Sequence, residues 1–213
     1  MVRKTAAVFV YLFSPLLMPT YILLVRFAVK NTYITLIPSS IKWFSLALTF
    51  SCTFLMPILI MFYMKKKKIL SDFSLSEKDE RSMFYGVALL FYALLTYSFL
   101  TIENYPIIFS VIPVVSASVL AGLILVNFFT KASSHVAALS GIIAYFSLNT
   151  IFFKAYSLFF ILLHIVLAGI VGSSQIVLGQ HTNRELLVSC VVGIVSTAIA
   201  FILFYWWNFR FIL

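Results

Sequence analysis

Seven long apolar runs divide this chain, and they constrain its fold more than any other feature of the sequence. The runs cover residues 5–29, 43–64, 82–101, 107–130, 134–153, 156–172 and 186–207. Each reaches or nearly reaches the about 20 residues that a helix needs to cross a hydrocarbon core. In lipid the backbone must satisfy its hydrogen bonds internally, which a helix does. The sequence therefore predicts an all-α, polytopic membrane bundle with about seven transmembrane helices.

The composition indicates that lipid, rather than water, is the main solvent of the chain. Hydrophobic residues make up 63% of it and charged residues only 10%, against about 25% charged residues in soluble domains. The net charge of +9 comes from cations near the ends of the apolar runs. Cations there set topology or meet anionic headgroups, so nucleic acid is not an expected partner. Cys52 and Cys190 lie inside apolar runs without metal-ligand spacing, so no disulfide, metal or cofactor is expected.

Individual residues within the runs predict local features of the helices. Pro15 and Pro19 are expected to kink the first run. Arg26, near the far end of that run, is expected to reach the interface as an anchor. Gly169 and Gly172 are expected to let the sixth helix approach a neighbour closely.

Seven crossings place the polar loops alternately on two sides of a membrane. One side receives ten of the cations and the other five, so the positive-inside rule predicts that the first side is cytoplasmic. The polar segments 70–81, 131–135 and 175–185 all fall on this same side. We call this end of the predicted bundle the site face.

Two histidines at the site face carry the best chemical signal. A neutral imidazole is a nucleophile, and a protonated one is a general acid near neutral pH. Glu185 follows His181 by one helical turn, so its carboxylate can hold the ring of His181. His135 begins the fifth run, and the neighbouring Ser133 and Ser134 offer donors to an oxyanion or a phosphate.

The segments 132–135 and 174–185 resemble two motifs of the type 2 phosphatidic acid phosphatase family, the membrane relatives of vanadium haloperoxidases. That family carries a Lys-x6-Arg-Pro segment, a Pro-Ser-Gly-His segment and a Ser-Arg-x5-His-x3-Asp segment. Ala-Ser-Ser-His at 132–135 matches the second at serine and histidine. Residues 174–185 match the third in spacing, serine, histidine and acid. The resemblance covers roughly the last 90 residues and implies a divergent family member.

The resemblance implies a role for each matching residue. His181 would attack phosphorus and form a phosphohistidine, and Glu185 would orient it in place of the usual aspartate. His135 would protonate the leaving alcohol and later activate water. The phosphate contacts are expected from Lys131, Ser133, Ser134, Gln175 and Arg184.

The resemblance also implies the domain organisation and the place of the protein in the cell. Residues 1–104 would form N-terminal transmembrane helices and a polar loop, and residues 105–213 a phosphatase-like helical core, within one compact membrane domain. The expected location is the cytoplasmic membrane of a bacterium. Family members commonly place the site on the outer face of that membrane, whereas the charge distribution predicts the inner face. The oligomeric state is left open.

Two departures from the family pattern leave two functions open. Gln175 stands where the third motif has arginine, and no Lys-x6-Arg-Pro segment is present. Arg81 and Arg184 fall on the site face and are the candidates to replace the missing cations. The first function is metal-independent hydrolysis of a lipid-linked phosphate monoester or pyrophosphate. The alternative is a catalytically degenerate member that binds lipid headgroups or a membrane partner.

Overall fold

The computed structural model describes residues 2–29, 32–73, 75, 77–154 and 158–209 of the chain. Within these ranges the secondary structure is helical, and no strand occurs. The α-helices are α1 Val2–Leu12, α2 Met18–Ala28, α3 Thr32–Leu36, α4 Ser39–Phe50, α5 Met56–Lys66, α6 Lys78–Thr101, α7 Ile107–Asn127, α8 Ser134–Phe153, α9 Leu158–Val177 and α10 Asn183–Phe209. Residue 156, where the sixth run was predicted to begin, and the cations Lys30 and Arg210 lie outside the described residues.

Seven helical segments of the described chain are long and apolar enough to cross a membrane. Span 1 is Val2–Ala28, span 2 is Ser39–Lys66, and spans 3 to 7 are provided by α6 to α10. The predicted all-α polytopic bundle is confirmed, and the chain is an integral membrane protein. The long helices of the two predicted parts pack on each other, since α6 packs on α7 and α1 on α9.

Proline interrupts both of the first two spans near their middle. In span 1, α1 ends at Leu12, a short 3-10 helix covers Pro15–Leu17, and α2 begins at Met18. Proline lacks the N–H that an α-helix needs and clashes with the preceding turn, so the predicted interruption is confirmed. In span 2 a π-helical turn covers Ser51–Leu55, and Pro57 is the second residue of the following helix α5. This second interruption was not expected from the sequence.

The closest helix packing joins α8 to α10 at Gly193 and Gly141, two positions for which no close contact was expected from the sequence. A Cβ atom on Gly193 would overlap the backbone carbonyl of Ala137, and one on Gly141 would lie 2.9 Å from the Thr197 hydroxyl. Small residues allow this approach, which drives helix association in lipid through van der Waals contact. Gly169, by contrast, has no heavy atom within 4 Å of its Cβ position, and Gly172 has ordinary contacts only. The expectation of a close approach at those two positions was wrong.

Replacement of Gly193 by alanine tests this packing. The added methyl group must displace the backbone of α8, so we expect the variant to lose about 1–3 kcal/mol of unfolding free energy. Thermal unfolding in detergent micelles measures the loss. Gly169→Ala is the matched control, and we expect it to be neutral or slightly stabilising because alanine favours helix. Equal midpoints for the two variants would contradict the packing argument.

Arg26 differs from its sequence-based expectation. Its side chain is buried rather than interfacial, and its terminal Nη1 donates to the Tyr145 hydroxyl and to the Asn149 side-chain oxygen, each at 3.2 Å. These partners lie on α8, toward the end of the bundle away from the site face. A charged group inside a bundle requires such polar partners. Arg26 therefore joins span 1 to span 5 and is not an interfacial anchor.

Candidate active site

Ser133 starts α8 and joins it to two other helices. Its hydroxyl oxygen accepts a hydrogen bond from the Val136 N–H at 3.3 Å, which caps the helix. The same hydroxyl donates to Oε1 of Gln175 on α9 at 2.6 Å, and the Ser133 N–H donates to the Ser189 hydroxyl on α10 at 2.7 Å. Ser189 in turn donates to the Glu185 carbonyl at 2.6 Å. Ser133 is thus fully buried and occupied by structural hydrogen bonds.

Gln175 orients His135 rather than standing open to a ligand. Because the Ser133 hydroxyl donates to Oε1, the Nε2 amide group faces His135 and lies 3.2 Å from its Nδ1. An amide N–H donates, so Nδ1 accepts and the ring proton is on Nε2. The His135 ring also hydrogen-bonds the backbone of Val10. Val10 lies in the last turn of α1, where carbonyl groups lack helical donors.

The chain between α9 and α10 turns sharply to bring His181 back to the bundle. Gly179 has a φ of +72°, a conformation that glycine adopts without strain. The Gln180 N–H donates to the Gln175 carbonyl, and the Gly179 N–H donates to the Ile176 carbonyl, at 3.0 and 2.9 Å. This pair of bonds is a Schellman motif, which ends α9 and sets the direction of the following residues.

Glu185 holds the ring of His181 and also caps α10. Its Oε2 accepts from the Thr182 N–H at 3.0 Å, while the Glu185 N–H donates to the Thr182 hydroxyl at 3.4 Å. These reciprocal bonds form a capping box that fixes the carboxylate. The same Oε2 lies 3.1 Å from Nδ1 of His181. The contact expected from the spacing of His181 and Glu185 is therefore present.

The surroundings of His181 favour its neutral form. Burial lowers the pKa of the His181 imidazole, and the nearby charge of Lys131 acts in the same direction. The hydrogen bond and charge of Glu185, and a hydrogen bond to the Lys131 backbone, oppose the shift without cancelling it. A neutral ring retains the lone pair that nucleophilic attack requires.

A single cavity of about 920 Å³ brings most of the predicted residues together. Its polar end, at the site face, is lined by Lys131, Ser134, His135, Gln175, Gln180 and His181, with Arg81 and Tyr85. The Ser134 side chain is hydrogen-bonded to Tyr85. The two histidines are close enough to repel each other when both are protonated. The remaining walls are mostly apolar, so the cavity has the form of an amphiphile site.

Arg81 is the cation that the structure adds to this polar end. The residue is buried in α6, and its Nε donates to the Asn127 side-chain oxygen at 2.7 Å. Asn127 is itself fixed, because its amide donates to the Lys78 carbonyl at 3.0 Å and to the Ser82 hydroxyl at 2.7 Å. The terminal nitrogens of Arg81 make no hydrogen bond within the part of the chain that the structure describes. The guanidinium group is thus held at Nε, and its two terminal nitrogens can donate two parallel hydrogen bonds to one oxyanion. We call this arrangement the Arg81 fork.

Two of the predicted phosphate contacts do not line the cavity. Ser133 is enclosed beneath its wall, as described above, and only the neighbouring Ser134 faces the space. Arg184 is exposed on the first turn of α10. Of the two arginines considered as replacements for the missing cations, Arg81 rather than Arg184 lines the cavity that also holds the histidines. The sequence feature that favours Arg81 as a site residue is its position in the first turn of span 3, on the site face.

No family model, curated protein or solved structure gives a significant match to this chain. The resemblance to the type 2 phosphatidic acid phosphatases accordingly rests on the two motifs alone and stays a prediction.

Removing the charge of Glu185 tests the electrostatics of His181. Glu185 raises the pKa of His181 through its hydrogen bond and its charge, so we expect Glu185→Gln to lower that pKa further. The ring then stays neutral to a more acidic pH than in the wild type. Nuclear magnetic resonance titration of the labelled histidine in micelles measures the shift. Glu103→Gln, an exposed carboxyl at the opposite end of the bundle, is the control. An unchanged or raised His181 pKa in Glu185→Gln would contradict the contact.

Proposed function

We propose that this protein is a membrane phosphatase that hydrolyses a lipid-linked phosphate monoester or pyrophosphate through a phosphohistidine. One observation carries the proposal: both histidines and two cations line the polar end of a single cavity whose other walls are mostly apolar. Nucleophile, proton donor and anion-binding groups thus meet where an amphiphilic phosphate would place its headgroup. The two sequence motifs support the same reaction independently.

In the proposed first step His181 attacks the phosphorus atom. Glu185 accepts the hydrogen bond from Nδ1–H, and the Nε2 lone pair forms the N–P bond after the ring has given up its hydrogen bond to the Lys131 backbone. The P–O bond to the lipid breaks, and His135 gives a proton to the leaving oxygen after its ring has gained a second proton at Nδ1, which requires the Gln175 amide to turn away from that nitrogen. In the second step water attacks phosphorus, His135 takes a proton from it, and the N–P bond breaks to release phosphate.

Charge on the transferring phosphoryl group would be balanced by Arg81 and Lys131. Phosphoryl transfer depends mainly on positioning and on stabilisation of the equatorial oxygens. The open fork of Arg81 binds two oxygens at once, whereas Lys131 acts as a point charge. The first turn of α8 adds backbone N–H groups at Ser134 and His135.

Phosphate release from a panel of lipid phosphates tests the proposal directly. Purified protein in detergent is incubated with lipid phosphate monoesters and with lipid pyrophosphates, without added metal. We expect release from at least one of them and none from protein with His181 replaced. Absence of release across the panel would refute the hydrolase.

A second candidate function is binding of lipid phosphate headgroups without hydrolysis. One observation favours it: the Gln175 amide donates to Nδ1 of His135, so the resting ring is neutral and would have to gain a proton to act as an acid. Gln175 also supplies no charge where the family has arginine. Stable retention of a lipid phosphate, with no release in the same panel, would identify this function.

We also propose, from the resemblance, that the membrane is the cytoplasmic membrane of a bacterium. Fractionation of the source cells tests this location, and recovery of the protein in another membrane would exclude it.

A further inference from the structure

The site-face halves of spans 1 and 2 are separated from each other. Helix α1 packs mainly on α9, and α5 packs on α6. The two spans meet instead near the middle, where the 3-10 helix Pro15–Leu17 contacts the π-turn Ser51–Leu55, and beyond it, where α2 contacts α4. The meeting point coincides with the proline interruptions of both spans. Above this point, toward the site face, a gap remains between α1 and α5.

The gap between α1 and α5 leads into the cavity that holds the histidines. Ala7 and Tyr11 of α1 and Ile58, Met61 and Phe62 of α5 all line that cavity. Tyr11 is nevertheless 80% exposed and Phe62 56% exposed. A side chain that both lines a cavity and faces outward marks its rim. We call the gap between Tyr11 and Phe62 the lateral opening.

The lateral opening lies at the depth of lipid chains. Phe62 is four residues from Lys66 at the end of span 2, and Tyr11 is nine residues from Val2 at the start of span 1. At a rise of 1.5 Å per residue these positions lie about 6 and about 14 Å below the site face. Span 2 is about 42 Å long and the hydrocarbon core about 30 Å thick, so Phe62 lies at the edge of the hydrocarbon and Tyr11 lies within it. A molecule that passes the lateral opening therefore comes from the bilayer.

The cavity continues inward as an apolar channel below the histidines. Along α8 its wall runs from His135 through Ala138 and Gly141 to Ile142, a length of about 10 Å. Val115 of α7 and Leu16 of span 1 line the same inner part. A phosphate held at His135 would leave this space to the chain attached to it.

Cations surround the headgroup end of the opening. The lysine block 65–68 ends α5 beside Phe62, and the Lys65 ammonium donates to the Ser71 carbonyl and lies 5.8 Å from the Phe73 ring, which also lines the cavity. Lysines at a membrane surface attract anionic lipid headgroups, each by about 1 kcal/mol. The block thus raises the local concentration of anionic lipid where the opening begins.

We propose that the lateral opening between Tyr11 and Phe62 admits a lipid phosphate from the bilayer and that its hydrocarbon chain occupies the apolar channel down to Ile142. This inference rests on the proposed function for the identity of the headgroup. It names the substrate class as an amphiphile with a terminal phosphate and a long acyl or prenyl chain. A water-soluble phosphate ester would leave the channel unfilled.

Photo-crosslinking in liposomes tests the opening without relying on turnover. Azidophenylalanine replaces Phe62 in one protein and Leu187 in another, both in a His181→Ala background that preserves the lipid. Leu187 is exposed at a similar depth on α10 and does not line the cavity. The liposomes contain phosphatidylcholine with a small fraction of phosphatidic acid. We expect adducts at position 62 to be enriched in phosphatidic acid at least about fivefold over those at 187. Equal lipid composition at the two positions would overturn the proposal.

Filling the channel provides the second measurement. Ala138→Phe places a ring in the channel wall, and Ala93→Phe, on an exposed position of α6, is its control. We expect Ala138→Phe to lower the enrichment at position 62 to the composition of the bilayer and Ala93→Phe to leave it unchanged. If Ala138→Phe retains the enrichment at position 62, the proposal that the hydrocarbon chain of the lipid occupies the channel is wrong. Crosslink enrichment together with no phosphate release from any lipid would instead refute the hydrolase and leave the lipid site standing.

Discussion

Replacing His181 by alanine is expected to lower phosphate release by at least about 10³-fold, because the variant lacks the atom that forms the N–P bond. In the wild type, the pH dependence of phosphate release should reflect the ionisation of His181. Burial lowers the pKa of His181, and attack requires the neutral ring. Activity should therefore persist below the ordinary histidine pKa of about 6.5 and fall as the pH drops through the lowered value. Initial rates of phosphate release across pH measure both effects.

Trapping the covalent intermediate distinguishes a histidine that acts as the nucleophile from one that has only a structural role. Rapid quenching with a radiolabelled lipid phosphate should trap label on the wild-type protein, in an acid-labile and base-stable bond, and not on His181→Ala. His164→Ala is the matched control. That residue lies on α9 outside the cavity lining, and its Nδ1 is 2.7 Å from the Phe160 carbonyl of its own helix. Label trapped equally on wild type and His181→Ala would exclude His181 as the nucleophile.

Replacing Arg81 by glutamine is expected to lower phosphate release by about 10²–10³-fold, the usual effect of removing one preorganised donor to a developing charge. The affinity for lipid phosphate should fall as well, since the fork contacts both ground and transition states. Arg81→Lys restores the charge but not the two parallel donors, so we expect it to recover only part of the loss. Initial rates and lipid phosphate binding in micelles measure these effects.

Two controls separate the charge of Arg81 from its structural bond to Asn127. Lys78→Gln removes a cation from the same turn of α6, one that donates to the Phe128 carbonyl at 3.0 Å and does not line the cavity. We expect its activity to stay close to the wild-type value. Thermal unfolding of each variant shows whether the loss of the Arg81–Asn127 bond lowers stability. If Lys78→Gln is as impaired as Arg81→Gln at equal stability, the effect comes from general surface charge and not from the Arg81 fork.

Arg81 also explains how a site with Gln175 in place of arginine would retain a cation at the phosphate. The side chain at 175 is held by Ser133 and His135, and it supplies a hydrogen bond but no charge. In the proposed site the cation comes instead from Arg81 on another span, whose Nε donates to the Asn127 side-chain oxygen. The proposed clamp is thus built from α6 and α7, whereas the proposed chemistry of the histidines remains on α8 and on the connection between α9 and α10.

The features that the sequence predicted correctly depend on residues that lie close together along the chain. The seven spans follow from apolar runs, because a continuous stretch of nonpolar side chains long enough to cross a bilayer is visible without any tertiary contact. The break in span 1 follows from Pro15, whose missing N–H acts within its own helix. The contact of His181 with Glu185 follows from a spacing of one turn. The convergence of the polar loops at the site face follows from counting crossings.

The features that required the tertiary structure depend on contacts between spans. In lipid the outside of a bundle is as apolar as its inside, so hydrophobic periodicity does not reveal which face of a helix meets a neighbour. For that reason the sequence did not reveal that Gly193 and Gly141, rather than Gly169, form the close contact. It also did not reveal that Arg26 turns inward to Tyr145 and Asn149. The same limitation concealed the partner of Gln175 and the lateral opening. The sequence by itself determined how many times this chain crosses the membrane and which loops share a face. Only the tertiary structure decided that Arg81 lines the same cavity as the histidines, because that placement depends on how α6, α7 and α8 pack around the cavity.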